Sequence, residues 1–242
     1  MSEPADDTPK RPARRGASCD AVLVAAGAGE RLGLGVPKAL VRLDEATILE
    51  WALRMLADAG LADPVVVAPA AHLDDFRPLV EPLGVSRVVA GGATRHASVR
   101  AGVAATRSDA DLVAIHDAAR PLMPADVMTA AIAAVEGEVV AAAPALPVAD
   151  TLKRVENGRT VTVDRSGLEA VQTPQVFRAG LLRGLLQTSP DDVTDELAVV
   201  EHALDAGEVA GRIALVRGSL RGTKITHDDD LAFVRELSRS VS

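Results

Sequence analysis

The chain has 242 residues, of which 48% are apolar, and a formal net charge of −8. That length suits one α/β domain, and the negative balance argues against broad binding to nucleic acid or anionic membranes. With Cys19 the only cysteine, neither an internal disulfide nor a Cys/His zinc cluster is available, so a reducing, cytoplasmic setting is expected. The apolar content is aliphatic, with no Tyr, one Trp and three Phe, as parallel strands covered by helices require.

Residues 1–18 carry Lys10, Arg11, Arg14 and Arg15 among Pro, Ala and Asp with no apolar run behind them, which reads as a disordered tail rather than a signal peptide. A single domain is expected over 19–242. From Asp20 short aliphatic runs alternate with helical stretches: AVLVAAG, ILEWALRMLADAG, PVVVAPA, a Pro-interrupted helical segment and VSRVVAGG. A helix from about Arg95 to Ala105, the run DLVAIHDA, a helix opened by Pro124 and the run EVVAAAPAL continue the rhythm. This order predicts an α/β fold, Rossmann-like, with a mostly parallel sheet flanked by helices.

The rhythm breaks after Pro147. TLKRV and RTVTVDR flank Glu156, Asn157 and Gly158, and Asn-Gly between β-branched runs predicts a protruding β-hairpin arm at about 148–168. Its apolar residues Leu152, Val161 and Val163 need a covering surface, which a second copy of the chain could supply. Two helical stretches, a short strand at Arg212 to Val216, the KIT run at Lys224 to Thr226 and a helix through Asp230 to Leu237 complete the chain.

Chemistry concentrates where the strands end. AAGAGERLGLGVPKAL, Ala25 to Leu40, is a glycine-bearing loop whose backbone can approach phosphate oxygens. Its GxGxxxG spacing fits neither the dinucleotide fingerprint nor the P-loop, and Arg31 and Lys38 are what distinguish it from a plain turn. Only four of the 26 basic residues are lysines: Lys10, Lys38, Lys153 and Lys224. In an Arg-using chain, Lys38 and Lys224 stand out as compact charges for a phosphoryl group, the alternative being solvated surface lysines. His116 and Asp117 end the fourth run ahead of Arg120. Asp117 is placed either to touch a metal ion or ligand hydroxyl or to cap a turn. Asp228, Asp229 and Asp230 read as the acidic first turn of the last helix, and Trp51 as a core residue.

AAGAGERL with VPKAL, GG followed by Arg95 and Ser98, HDAARP, DTLKR, VDRSGL, QTPQVF, VTDE and TKIT occur in this order. In these blocks the chain resembles the 2-C-methyl-D-erythritol 4-phosphate cytidylyltransferase family, from about Asp20 to the last helix. The resemblance implies transfer of CMP from CTP to 2-C-methyl-D-erythritol 4-phosphate with Mg²⁺, in the non-mevalonate route to isoprenoids, by a homodimer joined through the arm. Arg31, Lys38, Arg165 and Lys224 would be the catalytic cations. Ala25, Ala26, Gly27, Gly29, Gly91, Gly92, Arg95 and Ser98 would bind the nucleotide. Asp117, Arg120, Thr151, Thr173 and Thr194 would line the acceptor pocket, with Asp117 a candidate metal ligand, and Thr151 and Arg165 would serve the neighbouring subunit. Some members carry an acidic residue where this chain has Ala93. Two alternatives stand beside this reading: transfer to ribitol 5-phosphate, and a non-catalytic nucleotide-binding module.

Overall fold

A computed structural model of the chain describes residues 17–27, 35–190, 193 and 195–240. The expected tail falls almost wholly outside the described residues. Ser18, assigned to that tail, belongs to the domain: its backbone N–H and hydroxyl both donate to Asp111, at 2.9 and 2.8 Å.

Strands β1 (Cys19–Val24), β4 (Val65–Ala68), β5 (Arg87–Ala90) and β6 (Leu112–Asp117) pair in parallel in the order β5-β4-β1-β6. Between β1 and β4 lie a two-stranded ribbon, β2 (Arg42–Leu43) with β3 (Ala46–Thr47), and helix α1 (Ile48–Asp58). Thr47 starts α1 with a capping box, its hydroxyl accepting from the Glu50 N–H while Glu50 reaches back to the Thr47 N–H. Helix α2 (Leu73–Val80) carries Pro78 and passes into a 3₁₀ turn, Glu81–Leu83, closed by Gly84 at φ 83°. Helix α3 (Arg95–Ala104) leads to β6, and α4 (Ala125–Ala134) leads to β7 (Val139–Pro147).

The sheet does not continue in parallel. Strands β10 (Glu169–Val171) and β11 (Gln175–Arg178) run antiparallel along one edge of β7, and β11 also fills the position between β6 and β7. β12 (Arg212–Arg217) pairs in parallel with β7 on its other side. The sequence reading passes from the arm straight to helices and misses β10 and β11. Helices α5 (Ala179–Thr188) and α6 (Glu196–Asp205) follow, and α7 (Asp228–Arg239) ends the described chain. The KIT run crosses the carboxyl edge of the sheet, where the Ile225 N–H donates to the Ala119 carbonyl.

Alternation along β1 explains the layering. Ala21 and Leu23 face a core built with α1, α2 and α4, while Val22 faces one built with α3, α5 and α6. A third cluster joins α7 to the ribbon through Leu43, Trp51, Ile225 and Val234, and the Trp51 indole N–H donates to the Leu43 carbonyl. The acidic start of α7 is as expected: the Asp230 carboxylate accepts from the Thr226 and His227 N–H groups.

The arm is present as β8 (Lys153–Glu156) paired with β9 (Arg159–Thr162), turning at Asn157 and Gly158, both with positive φ of 49° and 75°. Leu152, Val161 and Val163 share one face of it by register, while Val155 lies on the other; Val155 and Val161 are 68% and 62% exposed.

Gly102 sets how closely α3 can lie on the sheet. A Cβ there meets the side chains of Val22 and Val67, the latter at 2.7 Å. Gly102→Ala is therefore expected to lower stability by about 1–3 kcal/mol. Urea unfolding checks this, and a variant as stable as the parent would mean that the helix can lift away freely.

Candidate functional site

Strand order reverses at β1: the chain passes outward through β4 and β5, then returns to β6 on the other side. Open α/β sheets bind ligands beyond the carboxyl ends of the strands at such a point. Here the loop after β1, the segment after β5, the end of β6 and the Lys224 loop enclose a cleft of about 590 Å³. Backbone bonds fix its walls: Ala25 N–H to Val67 O at 2.8 Å, Gly91 N–H to Ala68 O at 2.8 Å and Ala118 N–H to Val24 O at 3.0 Å.

Ala25, Ala26, Gly27, Lys38, Gly92, Arg95, Asp117 and Lys224 line the cleft, eight of the residues singled out in the sequence. Lys38 reaches the Lys224 loop, its ammonium donating to the Ile225 carbonyl at 3.1 Å. Gly91 lies beneath: a Cβ there would come within 2.5 Å of the Ala26 Cβ and 2.8 Å of the Ser98 Oγ. Ser98 is buried and shapes the loop, accepting from the Gly92 N–H and donating to the Thr94 carbonyl. Gly29, Arg31 and Thr194 lie outside the described residues.

Asp117 is the centre of the charge arrangement. It is 5% exposed and both carboxylate oxygens are engaged, Oδ1 by the Arg95 Nε at 3.0 Å and Oδ2 by the Lys224 Nζ at 2.7 Å. Burial alone raises a carboxyl pKa, but Arg95 and then Lys224 overturn that effect and hold Asp117 well below the usual carboxylate range. This arrangement makes Asp117 a holder of two cations. Among the described residues no group of three or more His, Cys, Asp or Glu side chains could cage a metal.

Two residues assigned to the acceptor pocket sit behind its wall. Thr173 is buried; its hydroxyl accepts from the Asp117 N–H at 3.1 Å and lies 3.2 Å from the His116 Nδ1. Arg120 donates through Nη1 to the Gly222 carbonyl at 2.7 Å, fixing the turn that precedes Lys224. Thr151 and Arg165 are exposed at the arm and do not line the cleft of their own chain.

The sequence reading gave no role to Glu196. It is fully buried, and its Oε2 accepts from the Arg95 Nη1 at 2.6 Å while Oε1 lies 3.4 Å from the His96 Nδ1. The only sequence signal was its place in VTDE, a stretch noted for Thr194.

A sheet with a switch-point cleft, a glycine-bearing first loop and lysines on two sides of the cleft defines a nucleotidyltransferase-type protein. A profile of the family described as 2-C-methyl-D-erythritol 4-phosphate cytidylyltransferase matches residues 19–238, and the chain belongs to that family. It is 42% identical over 222 residues to the enzyme of that name from Saccharopolyspora erythraea, covering 88% of this chain and 95% of the relative. It is 40% identical over 242 residues to a bifunctional enzyme IspD/IspF from Clavibacter michiganensis subsp. michiganensis, covering 95% of this chain but spanning only 58% of the relative's length. The crystal structure of 2-C-methyl-D-erythritol 4-phosphate cytidylyltransferase from Thermus thermophilus superposes with a TM-score of 0.74 at 33% identity, over 90% of this chain and 98% of that one. No helix among the described residues is long and apolar enough to cross a membrane.

His116 offers a test of how dry the floor of the site is. Burial pushes its pKa down from 6.5 to about 4, against the opposing pull of Asp117. The folded state therefore keeps a neutral ring while the unfolded chain protonates below 6.5. Stability held above that pH is lost as pH falls from 6.5 toward 4, by about 3 kcal/mol in all. Urea unfolding of the parent and His116→Gln should show the parent's advantage shrinking across that window; an advantage independent of pH would mean that the ring is hydrated in the fold.

Proposed function

We propose that the chain transfers a cytidylyl group from CTP to 2-C-methyl-D-erythritol 4-phosphate, giving 4-diphosphocytidyl-2-C-methyl-D-erythritol and pyrophosphate. The observation that carries this reading is the cleft in which Lys38, Arg95 and Lys224 converge with the backbone of Ala25 to Gly27 and Gly92. The relatives' names supply the acceptor and the cytidylyl group, and CTP is the donor this reading assigns. The acceptor's phosphate oxygen attacks the α-phosphorus of CTP, and the bond from that phosphorus to the bridging oxygen of pyrophosphate breaks in line. A phosphate nucleophile is already ionised near neutral pH, so no side chain has to remove a proton. What the protein contributes is alignment and charge neutralisation.

In this reading Lys38 and Arg31 face the triphosphate, Lys224 holds the acceptor's phosphate, and the backbone about Ala25–Gly27 and Gly91–Gly92 meets the nucleoside. Arg120 and Thr173 act through the loops they brace, and Thr194 completes the acceptor side. CTP enters as its Mg²⁺ complex. The exposed arm docks on a second copy in a homodimer and delivers Thr151 and Arg165 to that copy's cleft. The cytoplasm is the proposed compartment.

Pyrophosphate release from CTP and Mg²⁺ is the test, with 2-C-methyl-D-erythritol 4-phosphate, with ribitol 5-phosphate and with no acceptor. Release with the first alone is expected; release with ribitol 5-phosphate alone would move the enzyme to another pathway with its mechanism intact. Replacing Lys38 by Ala should cut turnover by about 10²-fold or more, since it removes a cation aimed at developing charge. The folded variant working at the parent's rate would remove Lys38 from the mechanism. Sedimentation at micromolar concentration should give a dimer, and an active monomer would rule out the arm's role.

A further inference from the structure

Helices α3 and α6 begin face to face behind the cleft. Thr94 caps α3 by accepting from the Ala97 N–H, and Asp195 caps α6 by accepting from the Ala198 N–H. Asp195 is also fastened to the sheet, its Oδ2 accepting from the Gln175 Nε2 at 2.9 Å. Each helix then opens with a charged residue, Arg95 on α3 and Glu196 on α6. A carboxylate in a first turn is favoured by the helix dipole, whereas a cation there is disfavoured. Arg95 thus occupies a position that is poor for its own helix, and Glu196 lies 2.6 Å away to hold it.

From Glu196 the charges alternate outward: Glu196 to Arg95, Arg95 to Asp117, Asp117 to Lys224. Behind Glu196, His96 bridges to the Ser189 hydroxyl at 2.9 Å, so the series is anchored in the loop between α5 and α6. The Arg95 side chain is 27% exposed and faces the cleft, so an arriving polyanion pulls it away from Asp117. Glu196, fully buried on a capped helix, opposes that pull.

We propose that Glu196 is a positioning residue for the transfer reaction, acting through Arg95 to keep Asp117 and Lys224 aligned when the anionic substrates enter. This rests on the cytidylyl-transfer reading for its kinetic consequences. Glu196 touches neither substrate: it holds one nitrogen of the guanidinium while Nε remains on Asp117. Without its charge Arg95 is free to follow the nucleotide, which preserves ground-state binding and spoils alignment.

The experiment is a double-mutant cycle of Glu196→Gln and Arg95→Met, with turnover and the KM for CTP measured separately. Glu196→Gln should lower kcat about tenfold or more, as loss of a supporting partner typically does, without raising the KM for CTP. In the Arg95→Met background the same substitution should change kcat by less than about twofold, because its effect passes through Arg95. That double variant buries no unpaired charge at this point and remains interpretable if Glu196→Gln alone folds poorly. Equal losses in both backgrounds, or none in either, would overturn the proposal. A parent that releases no pyrophosphate would refute the functional reading instead, and NMR of the Arg95 Nη1–H, the group bonded to Glu196, then decides. Its exchange with solvent should quicken about tenfold in Glu196→Gln as a charge-assisted bond is lost, and an unchanged rate would exclude Glu196 as its holder.

Discussion

One buried carboxylate organises the site. Asp117 ends the strand that lies beside β1 at the reversal of the sheet, and its two oxygens are bound to cations that come from opposite directions. Arg95 arrives from the start of α3, downstream of β5, and Lys224 from the crossing loop before α7. A charge so buried is costly unless paired and hydrogen-bonded, and here each partner answers the other's cost. The consequence is that the cleft offers anions a prearranged set of positive groups on a chain whose net charge is negative.

The elements around Asp117 serve this pairing. Thr173 fixes its backbone N–H, and the antiparallel β11 beside β6 is what brings Thr173 there. Arg120 and the Ile225 N–H together tie the Lys224 loop to the segment after β6, and Lys38 adds a tie from the first loop. Gln172, just before Thr173, exchanges two hydrogen bonds with the Ser219 backbone, at 2.9 and 3.0 Å, so the root of the arm is joined to the loop that carries Lys224. The arm and the cleft therefore share a structural member.

Much of this was legible in the sequence because it is local. The Asn157-Gly158 pair gave the arm, the 3.6-residue pattern around Trp51 gave α1, and scarcity of lysine marked Lys38 and Lys224. What was hidden depends on contacts far apart in the chain. Pro174 interrupts QTPQVF, which lacks the alternation of a half-exposed strand because β11 is buried between two neighbours. Arg95 and Glu196 are separated by 101 residues, and nothing in either helix start announces the other. Thr173 and Arg120 brace Asp117 and the turn before Lys224 through bonds to distant parts of the chain, which no motif conveys.

The dependence of the site on Asp117 is open to one decisive comparison: CTP binding by calorimetry beside pyrophosphate release, for the parent and for Asp117→Asn, which keeps shape and removes the charge. If Asp117 is the holder of Arg95 and Lys224, the folded variant still binds CTP while turnover falls by about 10²-fold, the scale expected when reacting groups lose alignment. Turnover within a few-fold of the parent would show that the cations keep their places without it.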